Sequence, residues 1–269
     1  MLLPKPKDWG SHISISGFFV LPPDDTFTPP PDLLSFLEAG DPPIYIGFGS
    51  IVVDNPEAMT SMIFEAIRQA GVRALVSKGW GGLGSTDMEL SKNVFLLGNI
   101  PHAWLFDRVS VVVHHGGAGT TAASLLSGKP TVVVPFFGDV SYFPFVRTTS
   151  NGSQQPFWGD MVANAGAGPK PIAYREQTAD KLAQQIQEAL QPEMRVSARQ
   201  IGLRLQRERG CENGVRSFHS SISTKHSRCS IFPERFAVWN VKDRECPLST
   251  LAAGILLQRG LICAKDISM

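Results

Sequence analysis

Two adjacent histidines, His114 and His115, run straight into the glycine turn Gly116–Gly119 and then Thr120. Those residue types at that spacing suit an anion. Glycines let the backbone approach a phosphate closely, and the first N–H groups of a following helix point at it with the positive end of the helix dipole. The elements that must hold the turn lie on either side of it. Val109–Val113 is an apolar, β-branched run that reads as a fully buried strand. Thr120–Leu126 is a small-residue helix stopped by Gly128 and Pro130, and Thr131–Val134 is the next buried strand. Strand, turn, helix and strand make one βαβ unit with its turn at the carboxyl edge of the sheet, where open α/β sheets bind ligands. The stretch reads as a nucleotide or sugar-phosphate site.

A glycine turn alone has other readings. Gly117-x-Gly119-x-x-Ala122 also satisfies the dinucleotide fingerprint, and Asp139 lies 20 residues beyond Gly119, where a ribose-binding acid is expected. An NAD(P)-binding oxidoreductase domain therefore stands as an alternative. Three features count against it. The unit sits in mid-chain, Asp139 falls past Pro135 and two phenylalanines, and paired histidines have no task in binding nicotinamide. A P-loop is excluded, because no G-x-x-x-x-G-K-[ST] occurs.

The same alternation extends upstream. Pro43–Ser50 is a buried strand running into a Gly-x-Gly-Ser turn. Asn55–Pro56–Glu57 is a helix start, with Met59, Met62, Ile63, Ala66, Ile67 and Ala70 as the buried stripe and Gly71 as the stop. Ala74–Val76 and Val94–Leu97 are strands, separated by the glycine-rich loop Lys78–Ser85, and Pro101–Phe106 is a short helical turn. Asp32 is expected to cap a short helix, Leu33–Ala39. The pattern argues an α/β fold with a parallel, doubly wound sheet.

After Asp139 the rhythm breaks into the aromatic, then Ser/Thr/Asn-rich run Val140–Gln154. Helical periodicity resumes through Met161, Val162 and Ala165. Thr178 caps a helix carrying Leu182, Ile186 and Leu190, and Met194–Arg209 is a further helix whose arginines read as a solvated face. Residues 1–40 read as a linker and edge segment, 41–210 as the Rossmann-like domain, and 211–269 as a helical tail with an apolar stripe at Leu251–Leu257.

Composition narrows the class. With 25 Lys+Arg against 24 Asp+Glu, nothing draws the chain toward nucleic acid in general. Cys211, Cys229, Cys246 and Cys263 form no CxxC pair and read as reduced thiols, not as a disulfide framework or a zinc site. No apolar run approaches the roughly 18 residues of a membrane span. Nor does Met1–Leu2–Leu3–Pro4–Lys5 open a signal segment. A soluble, cytoplasmic chain is expected.

Taken together, HHGGAGTTAA, GKPTVVVPFFGD and QPFWG, with IGFGS upstream and IPHAWLF between, resemble the C-terminal half of the sterol glucosyltransferases. These are UDP-glycosyltransferases of the two-Rossmann-domain (GT-B) type. The resemblance runs from about Lys5 to Asp266, and Arg228–Cys229 and Ala237–Val238–Trp239 in the tail also fit. It implies the donor-binding half of an inverting UDP-glucosyltransferase whose acceptor is a sterol or similar lipid. Gly117, Ala118, Gly119 and Thr120 would cradle the diphosphate, and His115 would bond the β-phosphate. His114 reads as mostly structural. Gly49 and Ser50 would close over the phosphates, His102 would lie on the uracil side, and Asp139 with Gln155 would hold the sugar hydroxyls. Lys78 and Trp80 lie on a loop near the donor, a position that is usually not a ligand's. No cofactor and no metal is implied, since the helix dipole, His115 and backbone donors supply the positive field.

Two departures qualify the resemblance. The resemblance implies that the acceptor pocket and catalytic base lie in an N-terminal domain that this sequence is expected to lack, so no catalytic residue is assigned. Alone, the chain is expected to bind UDP-sugar and transfer poorly, or to be a truncated nucleotide-binding fragment without turnover. In the full-length protein, peripheral membrane contact would accompany a lipid acceptor. Asp139 and Gln155 should also be adjacent, yet fifteen residues, Val140–Gln154, separate them. This insert starts with Val, whose codons begin GT, and ends with Gln, one of whose codons ends AG. It reads as a retained intron that would displace the sugar-binding pair.

Overall fold

The computed structural model describes residues 2–10, 12–21, 26–79, 91–136, 154–221, 227–242 and 246–268. Asp139, Trp80, most of the Lys78–Ser85 loop and all of the insert except Gln154 lie outside them. The chain divides into two compact units, Met1–Lys7 with Gly17–Gly210, and Asp8–Ser16 with Cys211–Met269.

In the first unit the described strands are β1 (Ile44–Gly47), β2 (Ala74–Ser77), β3 (Val94–Leu97), β4 (Val112–His114) and β5 (Thr131–Val133). They form one parallel sheet in the order β3-β2-β1-β4-β5. Both faces are covered, which is why the strands read as continuous apolar runs. Along β1 the side chains alternate between two cores. Ile44 and Ile46 pack with Met59, Ile63 and Ile67 of α2 (Pro56–Ala70) and with Leu182 and Ile186 of α6 (Ala179–Ala189). Tyr45 turns to the opposite core, with Leu33 of α1 (Pro31–Glu38) and Leu105 and Phe106 of α3 (His102–Phe106). A third cluster joins Leu125 of α4 (Ala118–Leu126), Val162 of α5 (Gln154–Asn164) and Ala198 and Leu205 of α7 (Pro192–Leu205). Truncating a fully buried member such as Ile63 to alanine would cost about 2–5 kcal/mol.

Local signals set the boundaries. The Asn55 side chain accepts the Ala58 N–H at 2.9 Å, Pro56 takes the first helical position, and Gly71 ends α2 at φ 69°. Thr178 caps α6 through the Lys181 N–H. Asp32 behaves differently from the expected cap. Pro31 occupies the first turn of α1, so Asp32 lies inside the helix and accepts the neighbouring Leu33 N–H. The expected Val109–Val113 strand also shifts to Val112–His114, although Val109 and Val111 stay buried and the Val111 carbonyl still accepts the Tyr45 N–H at 2.9 Å. Helix α4 starts two residues earlier than expected, at Ala118, and α7 ends at Leu205 instead of Arg209.

The second unit holds most of α8 (Gly210–Ser221) and α9 (Thr250–Gln258), capped by Ser249. It also holds a three-stranded antiparallel sheet, β7-β6-β8, of β6 (Trp239–Val241), β7 (Cys246–Leu248) and β8 (Ile267–Ser268). This sheet was not expected in a helical tail, since strands of two or three residues are too short to show a period of two. Its core is Cys229, Leu248, Ala252 and Ala253, and the four cysteines are free thiols. Among the described residues no helix is long and apolar enough to cross a membrane.

Candidate functional site

Strand order reverses between β1 and β4: the chain leaves β1 toward β2 and β3 on one side, and β4 toward β5 on the other. At such a switch point the loops after the two strands splay apart and leave a crevice at the carboxyl edge. Gly49 and Ser50 follow β1 there, and His115 with the glycine turn follows β4.

The turn is built on His114. Its ring is fully buried, and its Nδ1 accepts the Gly116 N–H at 2.9 Å, which pins the first residue of the turn. Burial, reinforced by the nearby His115 and His102 rings, holds its pKa down to about 3, so His114 stays neutral. Gly116 then bends at φ 86°, and Gly117 is the N-cap of α4 with no side chain capping it. The four N–H groups that open a helix have no partner within it. Those of Gly117, Ala118, Gly119 and Thr120 therefore present an uncapped positive helix end at the crevice. Thr120 is half-buried, and its hydroxyl makes no hydrogen bond to another described residue. The next hydroxyl, of Thr121, is spent on the Gly117 carbonyl at 2.9 Å.

His115 lies between two glycines. A β-carbon on Gly117 would meet its Nε2 at 2.5 Å, and one on Gly49 would meet its Cε1 at 3.3 Å. Its Nδ1 is buried with no hydrogen-bond partner among the described residues, and burial lowers its pKa. Gly49 sits at φ 62°, and its carbonyl oxygen lies 2.7 Å from where Gly79, after β2, would carry a β-carbon. Ser50 and the preceding residue of that loop, Lys78, are exposed.

Gln155 is close by. A β-carbon on Gly116 would meet the Gln155 carbonyl at 2.8 Å and its Cα at 3.1 Å, and the Gln155 Oε1 accepts the Phe136 N–H at 2.8 Å. The start of α5 thus lies against the glycine turn even though the insert precedes it in sequence. Asp139, its expected companion, is outside the described residues.

His102 stands at the start of α3, stacked on Phe106 with centroids 4.6 Å apart. Its Nε2 is 3.3 Å from the Tyr45 hydroxyl. Burial lowers its pKa, and the charge of His115 lowers it further. Tyr45 was missed by sequence reading. The available signal was a tyrosine inside the buried run IYIGFG, because a buried hydroxyl needs a partner. The structure thus brings Gly49, His115, Gly117 and Gln155 together, with His102 held against Tyr45 of β1 and within electrostatic reach of His115.

The family model described as "UDP-glucoronosyl and UDP-glucosyl transferase" matches residues 30–144. The chain is 44% identical over 234 residues to sterol 3-beta-glucosyltransferase UGT80A2 of Arabidopsis thaliana, covering 87% of this chain and 34% of that protein. UDP-sugar-dependent glycosyltransferase 52 of Dictyostelium discoideum is 39% identical, over 81% of this chain and 14% of its own length. The chain spans about a third of the length of its plant relatives. Among solved structures, Arabidopsis thaliana UGT89C1 complexed with quercetin shares the fold at a TM-score of 0.55 and 16% identity, over 75% of this chain and 49% of the other. The glycosyltransferase of kitacinnamycin does so at 0.55 and 18%, over 74% and 47%.

Proposed function

This chain belongs to the UDP-glycosyltransferase family, and we propose that its carboxyl-edge crevice holds the donor, a UDP-sugar, for transfer of glucose to a sterol or similar lipid hydroxyl. The observation that carries the reading is the meeting of the uncapped start of α4 with His115 at the switch point of the sheet. The diphosphate takes the N–H groups of Gly117–Thr120, and the His115 ring adds a further donor. His102 lies toward the uracil, and Gly49 and Ser50 close the crevice.

In the reaction the acceptor oxygen attacks the anomeric carbon while the bond from that carbon to the β-phosphate oxygen breaks. The bonding pair leaves on UDP and the acceptor proton goes to a base. Negative charge grows on the β-phosphate as UDP departs, so a fixed positive field there stabilises the transition state more than the bound donor. Each charge-assisted hydrogen bond is worth about 1.5–3 kcal/mol. The base is assigned to no residue of this chain. Glucose as the sugar and a sterol as the acceptor rest on the names of the relatives, and Asp139 with Gln155 is the pair proposed to hold the sugar hydroxyls.

Calorimetric titration with UDP-glucose and with NAD tests this reading. UDP-glucose binding without NAD binding supports it. NAD binding without UDP-glucose would return the glycine turn to the dinucleotide reading, which none of the relatives named above favours.

A further inference from the structure

We propose that the amino edge of the sheet carries a second anion site, for a compact ligand bearing several phosphate groups, separate from the donor crevice. A cleft of about 1070 Å³ opens there, lined by Pro42 before β1, Arg73 before β2, Ser110 before β4 and Pro130 before β5. The glycine turn lies beyond the other ends of these strands. Five cations face the cleft, Arg73, Arg108, Lys129, Arg195 and Arg199, against two carboxylates, Asp41 and Asp107. A chain whose net charge is only +1 thus gathers an excess of three positive charges around one concavity.

The cluster is held in place. Arg73 lies over the Phe36 ring at 4.3 Å and donates to the Phe36 and Asp41 carbonyls. Arg108 lies over Trp104 at 4.2 Å and donates to the Trp104 carbonyl at 2.8 Å. These bonds fix the guanidinium groups without neutralising them. Arg195 and Arg199 are one turn apart on α7, and their side chains make no hydrogen bond or ion pair with a described residue. Gly128 explains why α7 comes so close: a β-carbon there would meet the Arg199 Cα at 3.2 Å. The half-buried Lys129 reaches only the Asp107 carbonyl, at 3.1 Å. Burial lowers its pKa, Asp107 raises it, and Arg195 and Arg199 lower it again. Like charges are being held together here, and an anion between them would relieve the repulsion.

Arginine forks match phosphate oxygens in pairs. A single monoanion would leave most of the excess charge uncompensated, and the cleft is far larger than one phosphate, which argues for several phosphates on one ligand. Such a ligand is either soluble or the headgroup of a lipid. Arg195 and Arg199 are exposed, as expected of a solvated face, and they also face this cleft.

The test titrates the chain, in saturating UDP, with inositol hexakisphosphate, and in parallel sediments it with phosphatidylcholine vesicles with and without phosphatidylinositol 4,5-bisphosphate. The expected result is hexaphosphate binding that UDP does not displace and that Arg195→Ala with Arg199→Ala weakens about tenfold or more, with UDP affinity unchanged. Both arginines are exposed, so the double substitution leaves the core intact. Binding to the phosphoinositide vesicles alone, lost in the same variant, supports the site with a headgroup as its ligand. Binding that survives the substitutions, binding displaced by UDP, or no binding of either probe would overturn it. The titration reports on the amino edge even if UDP itself fails to bind.

Discussion

The Nε2 of His115 lies 2.5 Å from the point where Gly117 would carry a β-carbon. The ring can occupy its place only because residue 117 has no side chain. Gly117 itself has φ −64°, an angle any residue adopts, so the glycine is required by space and not by backbone shape. Gly117→Ala should therefore fold normally and push the imidazole out of the crevice. The expected loss in UDP affinity is roughly tenfold to a hundredfold, the worth of one charge-assisted bond. Unfolding and titration measured on the same sample separate the two effects; a variant that melts like wild type and binds UDP equally well would show that the ring's position does not matter.

His102 and His115 should differ in which part of the ligand they read. With His102 on the uracil side, His102→Ala is expected to weaken uridine, UMP and UDP by a common factor. Tyr45→Phe should act in the same direction but less, because it removes only the hydroxyl 3.3 Å from the His102 Nε2. A His102→Ala penalty seen with UDP but absent with uridine would move this residue to the phosphates.

The buried His114 ties stability to pH. Its folded pKa, about 3, lies below the ordinary histidine value, so the unfolded chain binds the extra proton between the two. Its contribution is complete above about pH 6.5 and is lost as pH falls toward 3, by at most about 1.4 kcal/mol per pH unit. Denaturant titrations from pH 7 to pH 4 should show this decline. His114→Asn keeps an acceptor for the Gly116 N–H and cannot titrate, so its profile should be flatter; an equally steep profile would assign the acid sensitivity to other groups.

Binding of UDP-glucose should tighten as pH falls. Burial holds the pKa of free His115 below its usual value, and a bound diphosphate raises it. Between those two values the complex holds more protons than the free chain, so affinity rises with acidity by up to about tenfold per pH unit. UDP-glucose is the ligand to use, because its diphosphate does not titrate in this range. The slope should vanish in His115→Ala. Affinity that rises with pH in the wild-type chain would contradict this arrangement.

What could be read from the sequence was what neighbours in the chain determine. Asn55–Pro56 and Gly71 bracket α2 through bonds to residues within one turn, so their types alone announce it. The buried strands around Ile46, Val113 and Val132 are apolar on both faces and stand out as runs. Asp32 was misread because a cap and a first-turn acid use the same residue types, and Pro31 decides between them. Contacts across the chain were out of reach. The resemblance put Gln155 and the glycine turn in one donor site, but no local pattern places Gln155 against Gly116, or Arg199 against Gly128, since both approaches depend on how separate elements pack. The short strands of the second unit are recognised only by their partners.

Calorimetric titration of wild type and His115→Ala with UDP and with uridine decides whether the glycine turn and His115 hold a diphosphate. UDP is expected to bind the wild-type chain and to bind His115→Ala roughly tenfold to a hundredfold more weakly, with uridine binding both alike. UDP affinity unchanged by the substitution, or lost together with that of uridine, would contradict it.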